Sequence, residues 1–172
     1  YDFNYSDILL PHLNNIYQAY LEKPKDEEGR HGFDLFIHNP IIDNIIAPKL
    51  REIVQRNFYA GDCYGDEIGM RVYVQHQNNP IDSFYHNHSH LPGNLIGVFY
   101  LNIPEEGGEI CFTNPPFFEE LKIKPKINKV YFFPHWLLHK ASPHKGDKPR
   151  FCFNWTYGGM VRPIHKYTRQ LF

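Results

Sequence analysis

The chain has 172 residues, the size of one domain, and 42% of them are hydrophobic, which is enough to fill a core. Its net charge of −1 gives no general electrostatic attraction to nucleic acid or to an anionic membrane. Three cysteines without a CxxC pair argue against a disulfide scaffold, and no apolar run approaches the ~20 residues that span a bilayer, so we expect a cytoplasmic protein.

Two amphipathic helices are predicted in the first third of the chain. Apolar residues follow helical spacing over 8–21, where Pro11 weakens the first turn. A second apolar stripe covers 41–58, is broken or kinked at Pro48, and is expected to stop near Gly61. Both stripes are typical of helices that pack on a core.

After Gly69 the apolar residues recur at every second position, which is the spacing of strands. Short strands are predicted at 71–75, 95–102, 109–113, 129–133 and 151–157. We therefore expect a mainly β fold, a sandwich or barrel with the helices packed outside. A single domain is expected over 1–172, with helical support in 1–68, the β core in 69–160 and a tail in 161–172.

A group of histidines carries the first chemical signal. His86, His88 and His90 stand at every second position, so an extended strand presents them on one face. The Cα atoms of His88 and His90 would lie about 6 to 7 Å apart, near enough to share one metal ion. His139, which follows a short hydrophobic strand and a turn, is the best third ligand. Such a set leaves open metal positions for catalysis, and imidazole suits Fe, Zn, Cu or Ni.

Arg150 carries the second signal. It begins an apolar strand on which Arg150, Cys152 and Asn154 share one face. An arginine on the face that holds metal ligands can bind a carboxylate through two parallel hydrogen bonds. We therefore expect an anionic group beside the metal.

Seven motifs occur together in one order, and in that order they resemble the iron(II)/2-oxoglutarate-dependent oxygenases, most closely an often phage-encoded branch. The resemblance covers roughly residues 70 to 157 and is carried by His88-Ser-His90, the strand Gly97 to Asn102, Gly107 to Phe112, Asn114-Pro115, Tyr131 to Pro134, His139, and Arg150 to Asn154.

This resemblance implies a double-stranded β-helix, or jelly-roll, that binds Fe(II), 2-oxoglutarate and O₂ and hydroxylates a C–H bond while 2-oxoglutarate is converted to succinate. His88 and His139 match the two histidine ligands. Arg150 matches the basic residue that pairs with the distal carboxylate of 2-oxoglutarate, and Tyr100 matches a tyrosine that hydrogen-bonds it. The same pocket is expected to include Asn154 and, from the preceding strand, Tyr73 or Gln75.

The sequence departs from the family at His90, where the wider superfamily has Asp or Glu. Three neutral imidazoles leave the Fe(II) site with a net charge of about +2, where one carboxylate would leave about +1. Two alternatives stay open: His86 and His88 form the ligand pair, or Glu109 or Asp82 supplies the carboxylate.

Two other functions also stay open. A cupin-like three-histidine dioxygenase or zinc hydrolase needs no oxo acid, but the cupin pattern requires a glutamate shortly after the histidine pair, and 91–101 contains none. The other function is that of a non-catalytic jelly-roll stabilised by a metal, in which Arg150 would have no obvious role. The substrate, a small molecule or a residue of a peptide, is not specified by any motif, and neither is the oligomeric state.

Overall fold

The computed structural model describes residues 1–22, 40–60, 65–73, 95–113, 120–145, 150–158 and 161–163. Its helices are α1 (Ser6–Leu9), α2 (Leu13–Leu21) and α3 (Ala47–Asn57). Its strands are β1 (Phe58–Ala60), β2 (Gly65–Tyr73), β3 (Leu95–Asn102), β4 (Glu106–Gly107), β5 (Ile110–Thr113), β6 (Glu120–Ile123), β7 (Tyr131–Pro134), β8 (Leu138–Ala141), β9 (His144–Lys145), β10 (Arg150–Gly158) and β11 (Val161–Pro163).

The prolines interrupt both predicted helices. Leu10–His12, which contains Pro11, is a 3₁₀ turn between α1 and α2. Ile42–Ile46 is a π-helical turn directly before α3, and Pro48 is near the start of α3, where its missing N–H is tolerated. The second helix ends at Asn57, short of Gly61, because the next three residues form β1 and pair with β11.

Two antiparallel sheets form the core of the fold. The larger has the strand order β2-β10-β3-β7, and the smaller has the order β6-β5-β8. Two short pairs, β4-β9 and β1-β11, complete the described pairing. Because strands that neighbour one another in the larger sheet lie far apart in sequence, most of its contacts are long-range.

One face of the larger sheet packs on the helices. We call this apolar group the helix-side cluster; its buried members include Leu9, Ile16, Leu50 and Val54 from the helices and Phe99, Phe151, Phe153, Trp155 and Tyr157 from β3 and β10. Phe99 and Phe153 are cross-strand partners whose rings stack with centroids 4.9 Å apart. The burial of these large side chains attaches the helices to the sheet.

The other face of the larger sheet packs on the smaller sheet. We call this group the inner cluster; its buried members are Ile96, Val98, Tyr100, Ile110, Phe112, Phe133 and Cys152. Phe112 of β5 and Phe133 of β7 make an edge-to-face contact across the two sheets, with ring centroids 5.1 Å apart. Two facing sheets with helices on the outside of one confirm the predicted mainly β, double-stranded β-helix fold.

The predicted divisions at 68/69 and 160/161 stay predictions, although β2 begins at Gly65 and β11 pairs with β1. Among the described residues, none of the helices is long and apolar enough to cross a bilayer.

Gly97 tests the packing of the helix-side face. A Cβ at Gly97 would lie 2.9 Å from Cε1 of Phe132 and 3.2 Å from Cε3 of Trp155, whereas a Cβ at Gly65 meets nothing within 4 Å. We expect Gly97→Ala to lower the free energy of unfolding by about 1–3 kcal/mol through overpacking. Gly65→Ala, the matched control, should stay within about 0.5 kcal/mol of wild type. Urea unfolding measures both, and equal stabilities would contradict this packing.

Candidate active site

The structure describes four of the predicted site residues with their side chains, namely His139, Tyr100, Arg150 and Asn154. Tyr73 is described by its backbone, which pairs with Arg150 in the β2–β10 ladder. The histidines 86, 88 and 90, together with Gln75 and Asp82, lie outside the described residues, so the choice between the two histidine pairs stays a prediction.

His139 lies between the two sheets. On β8 it is the cross-strand partner of Phe112, so the two side chains share the inner face of the smaller sheet. Its ring is half-buried, with its centroid 4.6 Å from that of Phe133 on the opposite sheet.

The tautomer of His139 follows from one hydrogen bond. Nδ1 lies 3.0 Å from the carbonyl oxygen of Leu137, and because a carbonyl only accepts, Nδ1 carries the proton. Nε2 is then the nitrogen with the lone pair that a metal requires. In proteins, metal-bound histidines are oriented in this way, by a backbone acceptor on the ring nitrogen that does not bind the metal.

Tyr100 and Arg150 point to the same side of the larger sheet. Tyr100 is opposite Cys152 on β10, and both are members of the inner cluster. Arg150 is two residues before Cys152 on the same strand, so it shares that face. Both Tyr100 and Arg150 are 3% exposed. A β-bulge shifts the register between Phe151 and Cys152, directly beside these side chains.

A glycine turn forms the wall beside Arg150. Gly107 and Gly108 have positive φ angles of 73° and 69°, which favour glycine. A Cβ at Gly108 would lie 3.6 Å from Cδ of Arg150, so the backbone of the turn comes close to the arginine stem. The Lys124 ammonium donates to the carbonyls of Pro104 at 3.0 Å, of Glu105 at 3.3 Å, and of Gly107, which holds the turn in place.

Asn154 is on the same face of β10 as Arg150 and Cys152, and its side chain is half-buried. Its strand partners are Val98 of β3 and Gly69 of β2. Asn154 therefore lies farther along the inner face than Tyr100, beside the middle of β3.

Glu109, one candidate for a missing carboxylate ligand, has other partners. Ile110 and Phe112 face the inner cluster, so by alternation Glu109 faces away from it. The Ser142 hydroxyl donates to the Glu109 carboxylate and accepts from its backbone N–H at 2.8 Å. This hydrogen bond is the main cause that lowers the pKa of Glu109, and the more distant Lys124 and Lys122 add to it.

The described side chains fit the groups that the sequence resemblance implies. An imidazole with a fixed tautomer suits Fe(II), and a buried guanidinium on the same face of the sheet as a buried phenol suits a carboxylate. Within the described ranges no three His, Cys, Asp or Glu side chains form a metal-binding group, and the predicted partners of His139, namely His88 and His90, lie outside them.

The sequence motifs did not indicate two residues that shape this region. Lys124 stands in a lysine-rich stretch in which nothing distinguishes it from surface lysines, although it binds three turn carbonyls. Tyr5 hydrogen-bonds the backbone of Tyr100 from far away in the sequence, a contact that no local pattern indicates.

The family comparison agrees with the ordered motifs. Residues 75–155 match the sequence profile of a family described as "Putative 2OG-Fe(II) oxygenase". No curated protein matches the sequence significantly. The match confirms the predicted resemblance, and with it the prediction that the chain is an enzyme of the oxygenase class.

Several solved structures share the fold. A prolyl-4-hydroxylase from Pseudomonas putida is 14% identical with a TM-score of 0.60, covering 92% of this chain and 88% of that one. A prolyl hydroxylase from Trichoplax adhaerens, in complex with a hypoxia inducible factor oxygen degradation domain peptide fragment, is 13% identical with a TM-score of 0.57, covering 89% and 77%. SnoN, a non-heme alpha ketoglutarate dependent epimerase from nogalamycin biosynthesis, is 9% identical with a TM-score of 0.57, covering 87% and 73%.

The Ser142–Glu109 hydrogen bond gives a prediction about pH. We expect Ser142→Ala to raise the pKa of Glu109 toward its ordinary value of 4.5, and Ser142→Thr to retain the lowered pKa. Because the folded pKa lies below the unfolded one, the stabilisation is present above about pH 4.5 and is lost as the pH falls through the folded pKa. Carboxyl NMR titration measures the shift. An unchanged pKa in Ser142→Ala would show that Ser142 is not its cause.

Proposed function

We propose that this chain, whose residues 75–155 match the profile of a family of 2OG-Fe(II) oxygenases, hydroxylates a C–H bond of its substrate while 2-oxoglutarate is oxidatively decarboxylated to succinate. The observation that supports this best is the buried Arg150 on the inner face, one strand away from Tyr100. A buried cation has lost part of its hydration. An anionic ligand held in a fixed position compensates for that loss.

In this proposal His139 binds Fe(II) through Nε2, together with His88 and His90. The bound Fe(II) supplies the activation of O₂ that oxidises both 2-oxoglutarate and the substrate. The chain holds the His139 ring in one orientation, through the Leu137 carbonyl on one side and the contact with Phe133 on the other. A fixed ring reduces the reorganisation needed when the metal binds.

Arg150 anchors the distal carboxylate of 2-oxoglutarate, and Tyr100 donates a hydrogen bond to the same group. Both side chains are buried, so the charge-assisted bond forms in an environment of low dielectric, where it is stronger than in water. Val98, Phe112 and Phe133 of the inner cluster exclude water around the cosubstrate.

Two of the similar folds belong to prolyl hydroxylases, which favours hydroxylation as the reaction. The same fold in an epimerase shows that it also accommodates other outcomes. Mass spectrometry of the product distinguishes them, because hydroxylation adds one oxygen atom to the substrate and epimerisation leaves its mass unchanged.

The role of Arg150 is tested with the wild-type protein and ligand analogues. 2-Oxobutanoate keeps the 2-oxo acid end of 2-oxoglutarate but lacks the distal carboxylate. Calorimetry on anaerobic Fe(II) protein should show 2-oxoglutarate binding about 10- to 100-fold more tightly, the range expected of a charge-assisted hydrogen bond.

Arg150→Lys keeps the positive charge but loses the two-pronged geometry, so we expect it to lose most of this discrimination. Lys49→Arg, a charge-conserving change at an exposed position of α3, is the matched control and should retain it. Equal affinity of the wild type for both ligands would contradict the assignment of Arg150. Metal binding without binding of either oxo acid would favour the cupin-like or structural alternative.

The metal ligands are tested by an alanine scan with an internal control. We expect His88→Ala, His90→Ala and His139→Ala each to lower Fe(II) affinity by more than the roughly 10- to 100-fold that follows loss of an outer hydrogen-bond partner. His86→Ala should bind like wild type. Elemental analysis after anaerobic loading measures all four. Loss in His86→Ala with retention in His90→Ala would establish the other histidine pair.

A further inference from the structure

A buried tyrosine hydroxyl contacts the backbone of Tyr100. The side chain of Tyr5 is 0% exposed, and its ring packs in the helix-side cluster, 4.9 Å from the ring of Phe99. Its hydroxyl donates to the carbonyl oxygen of Tyr100 at 2.8 Å and accepts from the N–H of Tyr100 at 3.1 Å. One hydroxyl thus satisfies both backbone groups of a buried residue.

The hydroxyl occupies a specific place in the larger sheet. The β3–β7 ladder pairs Leu95 with Pro134 and ends where Val98 pairs with Tyr131. The same register, continued by two residues, would pair Tyr100 with Lys129. The Tyr5 hydroxyl lies between these two and is also 3.4 Å from the carbonyl oxygen of Lys129. It therefore replaces the direct bonds between strands at the point where the ladder stops.

Tyr5 is itself firmly held. The backbone N–H of Phe3 donates to the carbonyl of Asn128 at 3.0 Å, and the N–H of Ser6 donates to Oδ1 of Asn128 at 2.9 Å. Asn128 has a φ of 61°, a conformation that asparagine tolerates better than most residues. Burial raises the pKa of Tyr5 to about 12, so its hydroxyl keeps the proton that it donates.

We propose that Tyr5 is a positioning residue for the cosubstrate site: its hydroxyl fixes the backbone of Tyr100 and so directs the Tyr100 side chain toward the distal carboxylate of 2-oxoglutarate. The inference rests on the proposed function, because Tyr100 must contact the cosubstrate. Tyr5 acts from the opposite face of the sheet and does not touch 2-oxoglutarate.

The test is Tyr5→Phe, which keeps the ring and removes the hydroxyl. We expect its dissociation constant for 2-oxoglutarate, measured by calorimetry on anaerobic Fe(II) protein, to rise about 5- to 10-fold, the equivalent of one hydrogen bond. Fe(II) content should equal that of wild type. Val54→Ala, which removes buried volume from α3 in the same cluster, is the control for a general loss of stability and should bind 2-oxoglutarate like wild type.

A double-mutant cycle separates positioning from a structural effect. In a Tyr100→Phe background, where the phenol that Tyr5 positions is absent, Tyr5→Phe should weaken 2-oxoglutarate binding less than twofold further. Full additivity of the two changes, or wild-type affinity in Tyr5→Phe alone, overturns the inference. If wild-type Fe(II) protein does not bind 2-oxoglutarate, the proposed function fails and this inference fails with it.

The wild-type protein offers a second test that stands even where the variants do not fold. If the Tyr5–Tyr100 bonds favour 2-oxoglutarate binding, binding must equally favour those bonds. We expect 2-oxoglutarate to slow hydrogen exchange of the Tyr100 amide at least about threefold more than that of Val130, whose amide donates to the carbonyl of Tyr1. Equal slowing at both amides overturns the inference.

Discussion

The central constraint on this fold is that both faces of the β3–β10 pair are buried. Phe99 and Phe153 face the helices, whereas Tyr100 and Cys152, their neighbours along each strand, face the smaller sheet. Because side chains alternate, a register slip of one residue would exchange the two sets and place large aromatic rings between the sheets. The packing of the helices therefore determines which residues of β3 and β10 are available to the site.

Much of this arrangement could be predicted because side chains along a strand alternate between its two faces, and the apolar residues of the sequence follow that period of two. The sequence predicted β3 with its observed bounds and β10 to within one residue at each end, and it placed Tyr100 on one face with Ile96 and Val98. β1 was wrongly expected to continue a helix, because its partner, β11, is distant in sequence. β6 was not predicted, since its four residues follow a stretch of sequence that contains two prolines and lie at a sheet edge.

The details of the site depend on contacts that no local pattern encodes. The bulge beside Cys152, the approach of Gly108 to the Arg150 stem, and the Tyr5 hydroxyl between β3 and Lys129 all join distant parts of the chain. Glu109, which the sequence left open as one alternative carboxylate ligand, forms a hydrogen bond with Ser142 and faces away from the inner cluster.

The central claim is that the inner face binds 2-oxoglutarate at an iron held in part by His139. Its most direct test is anaerobic titration of the Fe(II)-loaded protein with 2-oxoglutarate, followed by visible absorption. We predict a saturable metal-to-ligand charge-transfer band that 2-oxobutanoate produces only at higher concentration, because Arg150 cannot anchor it. Iron that binds at one equivalent per chain and gives no band at millimolar 2-oxoglutarate would contradict the claim.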